Sequence, residues 1–345
     1  MKKIIVLLCA IFCTVSLFAK IGPLEEQLVK ASANGDLQTV QTLANTPGID
    51  INARYNGDTA LVNASFEGHL DIVKELLSHE KIKINKTGNL NVTPLIAASI
   101  SGYTDIVKEL LKHSPKLNKQ DKDGYTSLMY ASEKGYKSIA HELVINGADV
   151  TIVQKTKQNY NLGDITRVDR INNALLLAYN NNHRDITMEL LKVELNRNLS
   201  DLLTLENYKS RYYNAIDDLG NTLLMLASRN GDIEIVSFLV NLNKEQTKLG
   251  NKVSPIVDIN KKNLDENTAL MLAAKYGYLD VVNELLNQPN IDLNCRNIFN
   301  KDAYQLATTQ EIKDAIARRQ NMLKNTSEAL EKEVLEGLEH FQLDK

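Results

Sequence analysis

The stretch from Thr93 to Leu111, TPLIAASISGYTDIVKELL, decides the fold. It opens on Thr93-Pro94-Leu95, reaches Gly102 nine residues after the threonine, and closes on Leu110-Leu111 after an apolar-periodic run. The phrase returns at Thr59-Ala60-Leu61, Thr126-Ser127-Leu128, Thr222-Leu223-Leu224 and Thr268-Ala269-Leu270, each time with its glycine, at Gly68, Gly135, Gly231 and Gly277. Thr59, Thr93 and Thr126 stand 34 and 33 residues apart, the period of one turn plus two short antiparallel helices. Such a unit cannot bury its apolar face alone, so the units must stack into an all-α array with a long surface.

Physical chemistry accounts for the recurring letters. A threonine hydroxyl at the N-cap satisfies a helix N–H that has no partner of its own, and Pro94 falls where its missing N–H costs nothing. Glycine closes the first helix in a left-handed residue, and Asn182 takes that place in the fifth unit. Leu61, Ala64, Ile72, Val73, Leu76 and Leu77 supply apolar stripes at helical spacing. The carboxylates at Asp71, Asp105, Asp185, Glu234 and Asp280 recur three residues after the glycine place. They complement the positive end of the second helix, as a structural rule would place them in unit after unit, and they are not read as a catalytic set.

Eight units follow one another. The first, about 24–53, lacks a preceding turn, as an N-terminal cap would; units two to four, roughly 54–150, are the most regular. The fifth is built on Asn173-Ala174-Leu175-Leu176-Leu177-Ala178, units six and seven recover the pattern near 217–295, and the eighth, from Asp302, lacks both threonine and glycine. The spacing grows to 47, 49 and 46 residues over Thr126–Asn173, Asn173–Thr222 and Thr222–Thr268. The added residues fall near 154–170, 194–215 and 243–257, between the second helix of one unit and the first of the next. Inserts at that place are expected to be loops on one face, either binding elements or solvent-exposed elongations. Tyr208, Tyr212 and Tyr213 in the second insert are aromatics of the kind enriched at interfaces.

With these residues in view, the chain resembles the ankyrin-repeat proteins over nearly all of residues 24–320. The resemblance implies an α-solenoid of paired helices with hairpin finger loops and a concave groove. The family's histidine after Thr-Pro-Leu is here Val62, Ile96, Met129, Leu176, Met225 or Met271, which points to cohesion by packing rather than by that histidine's bond. The resemblance further implies contact with a partner through finger positions before the threonine and through the two residues before the glycine. In this chain those are Tyr55, Asn56, Asp58, Phe66 and Glu67; Leu90 and Ile100; Lys122, Asp123, Tyr125, Glu133 and Lys134; and Leu264, Asp265, Lys275 and Tyr276. Phe66, Ile100, Tyr125 and Tyr276 are the sharper candidates, because the repeat pattern does not ask for an apolar or aromatic residue there.

Residues 1–19 form a different object: Lys2-Lys3, an uncharged apolar stretch from Ile4 to Phe18, then Ala19 before Lys20. This reads as a secretory signal peptide, too short for a spanning helix of about 20 residues, and the bulky Phe12 before Cys13 disfavours a lipid-modified cysteine. Its removal takes both Cys9 and Cys13, so only Cys295 remains and no internal disulfide forms. The mature chain would carry no membrane span and would be periplasmic or secreted. Residues 321–345 read as a helix that either caps the array or meets a partner helix.

A formal net charge of -3, from 40 basic and 43 acidic residues, gives no electrostatic footprint for nucleic acid. The six histidines show no metal-ligand spacing, and neither a phosphate-cradling glycine loop nor a serine nucleophile elbow occurs. The sequence therefore predicts a non-catalytic module without cofactor, metal or small-molecule substrate, binding another protein in the cell envelope through the concave groove, finger loops and inserted loops that the resemblance and the inserts imply. The alternatives are an effector secreted against a host protein and, more remotely, an enzyme hidden in the inserts.

Overall fold

The computed structural model describes residues 22–156, 170–196, 212–248 and 255–343. The leader, Tyr208 and the middle of each insert lie outside them. The chain divides into two compact units, one through Val150 and one from Thr151.

In the first unit four helix pairs stack. They are α1 (Pro23–Asn34) with α2 (Leu37–Ala44), α3 (Ala60–Glu67) with α4 (Leu70–Leu77), α5 (Pro94–Ser101) with α6 (Thr104–Leu111), and α7 (Ser127–Lys134) with α8 (Lys137–Ile145). First helices pack on first helices and second on second. Ahead of α3, β1 (Arg54–Tyr55) and β2 (Asp58–Thr59) make a short antiparallel hairpin.

The second unit begins with an antiparallel hairpin of β3 (Val153–Thr156) and β4 (Arg170–Asn173). It continues with α9 (Ala174–Asn180) and α10 (Arg184–Asn196), α11 (Leu223–Asn230) and α12 (Ile233–Lys248), α13 (Ala269–Tyr276) and α14 (Leu279–Leu286), then α15 (Ala303–Leu306) and α16 (Gln310–Leu343). Ile312, Ala315 and Ile316 of α16 are buried, whereas its described side chains from Asn321 to Ala329 are exposed. The early turns of α16 therefore cover the end of the stack, and the turns from Asn321 to Ala329 do not.

The expected caps are in place. The side chains of Thr59, Thr93, Thr126, Asn173, Thr222 and Thr268 each accept a hydrogen bond from the backbone N–H three residues on. The glycines that follow the first helices are left-handed, from φ 71° at Gly231 to 88° at Gly68. The residues in the family's histidine place are buried, as cohesion by packing requires. They are not uniformly apolar in effect, however: the sulfurs of Met129 and Met271 accept the N–H of Thr126 and Thr268 at 3.5 Å, closing a reciprocal cap.

Cohesion between pairs also has a polar component that the sequence reading missed. Asn52 donates to the carbonyl of Lys81 at 2.8 Å and accepts from the N–H of Lys83 at 2.7 Å, in the next unit. Asn85 and Asn118 accept from Lys116 and Asp149, and Asn214 and Asn260 each bridge to the following turn through both amide atoms. Asn52 is buried, so Asn52→Ala strands two backbone groups and should cost about 1–3 kcal/mol in urea unfolding. Asn52→Asp, which keeps the acceptor, should recover part of that loss.

The C-terminal ends of the second and third inserts are core rather than surface loop. Tyr212 is 1% exposed, its hydroxyl donating to the carbonyl of Leu190 at 3.3 Å, and Tyr213 packs edge-on against it at 4.9 Å. These two tyrosines are therefore not interface aromatics, because their rings complete the packing that the longer spacing would otherwise leave open. In the third insert α12 runs on for 16 residues, twice the length of α14. Ile256 and Val257 return to the core, where Asn243 pairs with both backbone groups of Val257.

Candidate protein-binding surface

The candidate contact residues fall into two groups, one in each unit. In the first unit the finger loops lie side by side. Asn89 donates through its side chain to the carbonyl of Asn56 and to Asp58, whose other carboxylate oxygen accepts the Asn89 N–H at 2.7 Å. The N–H of Lys122 reaches the carbonyl of Leu90 at 2.7 Å. Asp58 thus holds one finger to the next, while Asn56, Leu90, Lys122 and Asp123 remain exposed.

The helix ends below the fingers complete this group. Phe66, Glu67 and Lys134 are exposed, and Ile100 and Glu133 half-buried. Tyr55 lies under the ammonium of Lys30 at 5.0 Å, a cation–π contact. Tyr125 is half-buried, its ring 4.8 Å from that of Tyr130 and its hydroxyl 3.4 Å from Glu133. Tyr130 in turn donates to Asp121 at 2.6 Å; burial, then that carboxylate, push its hydroxyl well above the ordinary phenol range. In the second unit Leu264, Asp265, Lys275 and Tyr276 are all exposed, with the ammonium of Lys275 5.7 Å from the Tyr276 ring.

A recurrent feature ties four of the pairs to the pair before them. The residue after the glycine is an aromatic ring that lies over the glycine of the preceding pair: His69 over Gly35, Tyr103 over Gly68, Tyr136 over Gly102 and Tyr278 over Gly231. The ring place is visible in the sequence once the glycines are aligned, but its partner, one repeat earlier, is not.

The joint between the fifth and sixth pairs departs from this rule. Asn182, left-handed at φ 62°, stands in the glycine place, and Asp232 stands where the ring would be. A Cβ at Gly68 would come within 2.4 Å of the Tyr103 ring, so a side chain at 182 and a ring at 232 exclude each other. The joint instead holds an open cavity of about 640 Å³ lined by Tyr179, Asn182, Arg184, Asn230, Asp232 and Glu234. Arg184 bridges Asp232 and Glu234 across it, and Asn230 donates to the Tyr179 hydroxyl at 3.3 Å. Asn182→Gly together with Asp232→Tyr should restore the ring and raise stability by about 0.5–2 kcal/mol. Asp232→Tyr alone should not, so a double-mutant cycle in urea reads the coupling directly.

Among the described residues no group of three or more His, Cys, Asp or Glu side chains is placed to hold a metal, and no helix is long and apolar enough to cross a membrane. Cys295 is half-buried and donates to Asp292 at 3.3 Å. Burial and that carboxylate push its thiol up to about 11. Because the thiolate is the nucleophile, iodoacetamide should label folded protein slowly at pH 8 and much faster as the pH approaches 11, with unfolded protein reacting readily at pH 8.

A family model described as ankyrin repeats matches the chain in three copies, over residues 25–88, 83–154 and 198–297. The chain belongs to the ankyrin-repeat family. It is also similar to YahD of Escherichia coli (strain K12), whose name calls it an ankyrin repeat protein, with 36% identity over 123 residues. That stretch is 33% of this chain and 60% of the relative, less than two thirds of the relative's length. Ankyrin repeats indicate a protein–protein interaction module.

Proposed function

We propose that the chain is a non-catalytic binding protein of the cell envelope. It engages another protein through its finger loops and the adjoining ends of the first helices. The observation that carries this reading is the exposure of Phe66, Leu90, Leu264 and Tyr276, large apolar or aromatic side chains at positions the repeat architecture leaves unconstrained. Tyr55, Asn56, Glu67, Ile100, Lys122, Asp123, Tyr125, Glu133, Lys134, Asp265 and Lys275 surround them, and Asp58 acts indirectly by fixing the finger that carries Leu90. The net charge of -3 supports a protein rather than a nucleic-acid partner. Export rests on the charged start, apolar run and small residue of the first nineteen positions; N-terminal sequencing of protein from source cells should begin at Lys20.

Photocrosslinking in source cells tests the binding surface. A photoreactive residue at Phe66, Leu90 or Tyr276 should yield one reproducible protein adduct, and the same group at exposed Lys74 on α4 should not. Equal labelling from Lys74, or adducts from none of the three sites, would remove the assignment.

A further inference from the structure

In the second unit three consecutive fingers carry apolar side chains at their tips. Leu219 is 59% exposed, Leu264 49%, Ile298 54% and Phe299 71%. The tips are tied to one another through the backbone: the N–H of Leu264 bonds the carbonyl of Leu219, and the N–H of Ile298 that of Asp265, both at 3.1 Å. These side chains therefore stand on one continuous row and are not scattered singly.

Each tip is a turn fixed from within. One side-chain oxygen of Asp217 accepts the N–H groups of Leu219 and Asn221, that of Asn263 those of Asp265 and Asn267, and that of Asn297 those of Phe299 and Lys301. Side-chain amides link finger to finger as well, Asn263 to Asn221 at 2.8 Å and Asn297 to Asn267 at 3.0 Å. A row held in this way loses little conformational freedom on binding, which is the condition for a small apolar patch to yield useful affinity. In the first unit Tyr55-Asn56 and Lys122-Asp123 occupy the corresponding places on either side of Leu90, and the Tyr55 ring is half-buried under Lys30, so the row has no counterpart there.

Its surroundings are acidic. The three finger segments, 217–221, 258–267 and 292–302, carry Asp217, Asp218, Asp258, Asp265, Glu266, Asp292 and Asp302 against Lys261, Lys262, Arg296 and Lys301. We infer that this ridge docks a protein segment bearing two or three apolar side chains flanked by lysine or arginine. The inference rests on the protein-binding reading and names the chemistry of the partner for the second unit. Apolar side chains would supply the contact at the tips, and the basic flanks would match the acidic finger loops, adding salt-sensitive attraction.

The test is selection of a random peptide library displayed on phage against the full-length protein, with the recovered sequences synthesised and measured by fluorescence polarisation. Selected peptides should combine apolar residues with lysine or arginine. Their affinity should fall about tenfold or more with Leu264→Asp or Phe299→Asp, weaken with added salt, and be unchanged by Phe66→Asp. All three replacements are at exposed positions, and an unchanged circular dichroism spectrum and melting temperature would certify the fold. Peptides indifferent to the ridge variants but lost with Phe66→Asp would overturn the ridge and leave the protein-binding reading standing. Acidic peptides, or no peptide at all, would also overturn it. So would a dimer in sedimentation that Phe299→Asp breaks, since the occupant would then be a second copy, or ridge-dependent binding to anionic phospholipid vesicles.

Discussion

Gly68→Ala should be among the most damaging single-methyl changes in the first unit, and Gly48→Ala should show why. Both glycines are left-handed, at φ 88° and 86°, so alanine carries the same backbone penalty of about 1–2 kcal/mol at either site. They differ in what the new methyl meets. At Gly48 nothing lies within 4 Å, whereas at Gly68 the Cβ would fall 2.4 Å from the Tyr103 ring. Displacing the ring, which is 39% exposed and can give, adds about 1 kcal/mol, the low end for overpacking, so Gly68→Ala should lose about 2–3 kcal/mol in urea unfolding. Adding Tyr103→Ala to Gly68→Ala should cost less than it does in the wild type, because in the Gly68→Ala variant it also removes the ring that the new methyl meets. Equal losses for Gly48→Ala and Gly68→Ala would mean that the ring does not sit on the glycine.

Tyr212→Ala should be the corresponding lesion of the second unit. The ring is almost fully buried against Tyr213, and its backbone carbonyl accepts from the amide of Asn173, the residue that caps α9. Removing a buried aromatic of this size costs about 3–5 kcal/mol. Tyr212→Phe keeps the ring and removes the 3.3 Å bond to Leu190, for about 1 kcal/mol. Hydrogen exchange should report both, with protection lost first in α9 and α10 on Tyr212→Ala. A surface tyrosine would behave otherwise, leaving both exchange and unfolding unchanged.

The contrast between these residues shows what the sequence makes legible. Thr59, Gly68 and the Leu76-Leu77 pair repeat at a fixed distance, and each does a local task whose cause lies within a few residues, so cap, turn and stripe could be read directly. Tyr212 obeys no period. It lies in an insert, and its partners Leu190 and Asn173 are brought to it by the packing of the fifth pair. Asn52 was equally hidden, since an asparagine in a loop reads as a turn former until the next unit's backbone is placed beside it. Of the candidates singled out because they break the repeat pattern, Phe66 and Tyr276 are exposed and Ile100 and Tyr125 half-buried, whereas Leu90 and Leu264 follow from counting back from their threonines. Ile298 and Phe299 were missed because the eighth unit lacks the threonine from which finger positions are counted; Leu219, three residues before Thr222, was open to the same count but was not singled out.

The ring over the glycine has a consequence for how such an array can be rearranged by recombination. Four joints are made of two halves held by different repeats, a glycine in one and an aromatic in the next. A repeat copied or deleted as a whole keeps its own two halves but acquires a new neighbour, and the exchange is silent wherever the incoming halves match. The repeats carrying Tyr103 and Tyr136 are interchangeable in this sense. The one carrying Asp232 is not: it fits behind Asn182, and placed after a glycine it would leave that joint uncovered. The fifth and sixth repeats therefore form a linked inheritance unit, and gain or loss of repeats should be tolerated among the second, third and fourth before it is tolerated there.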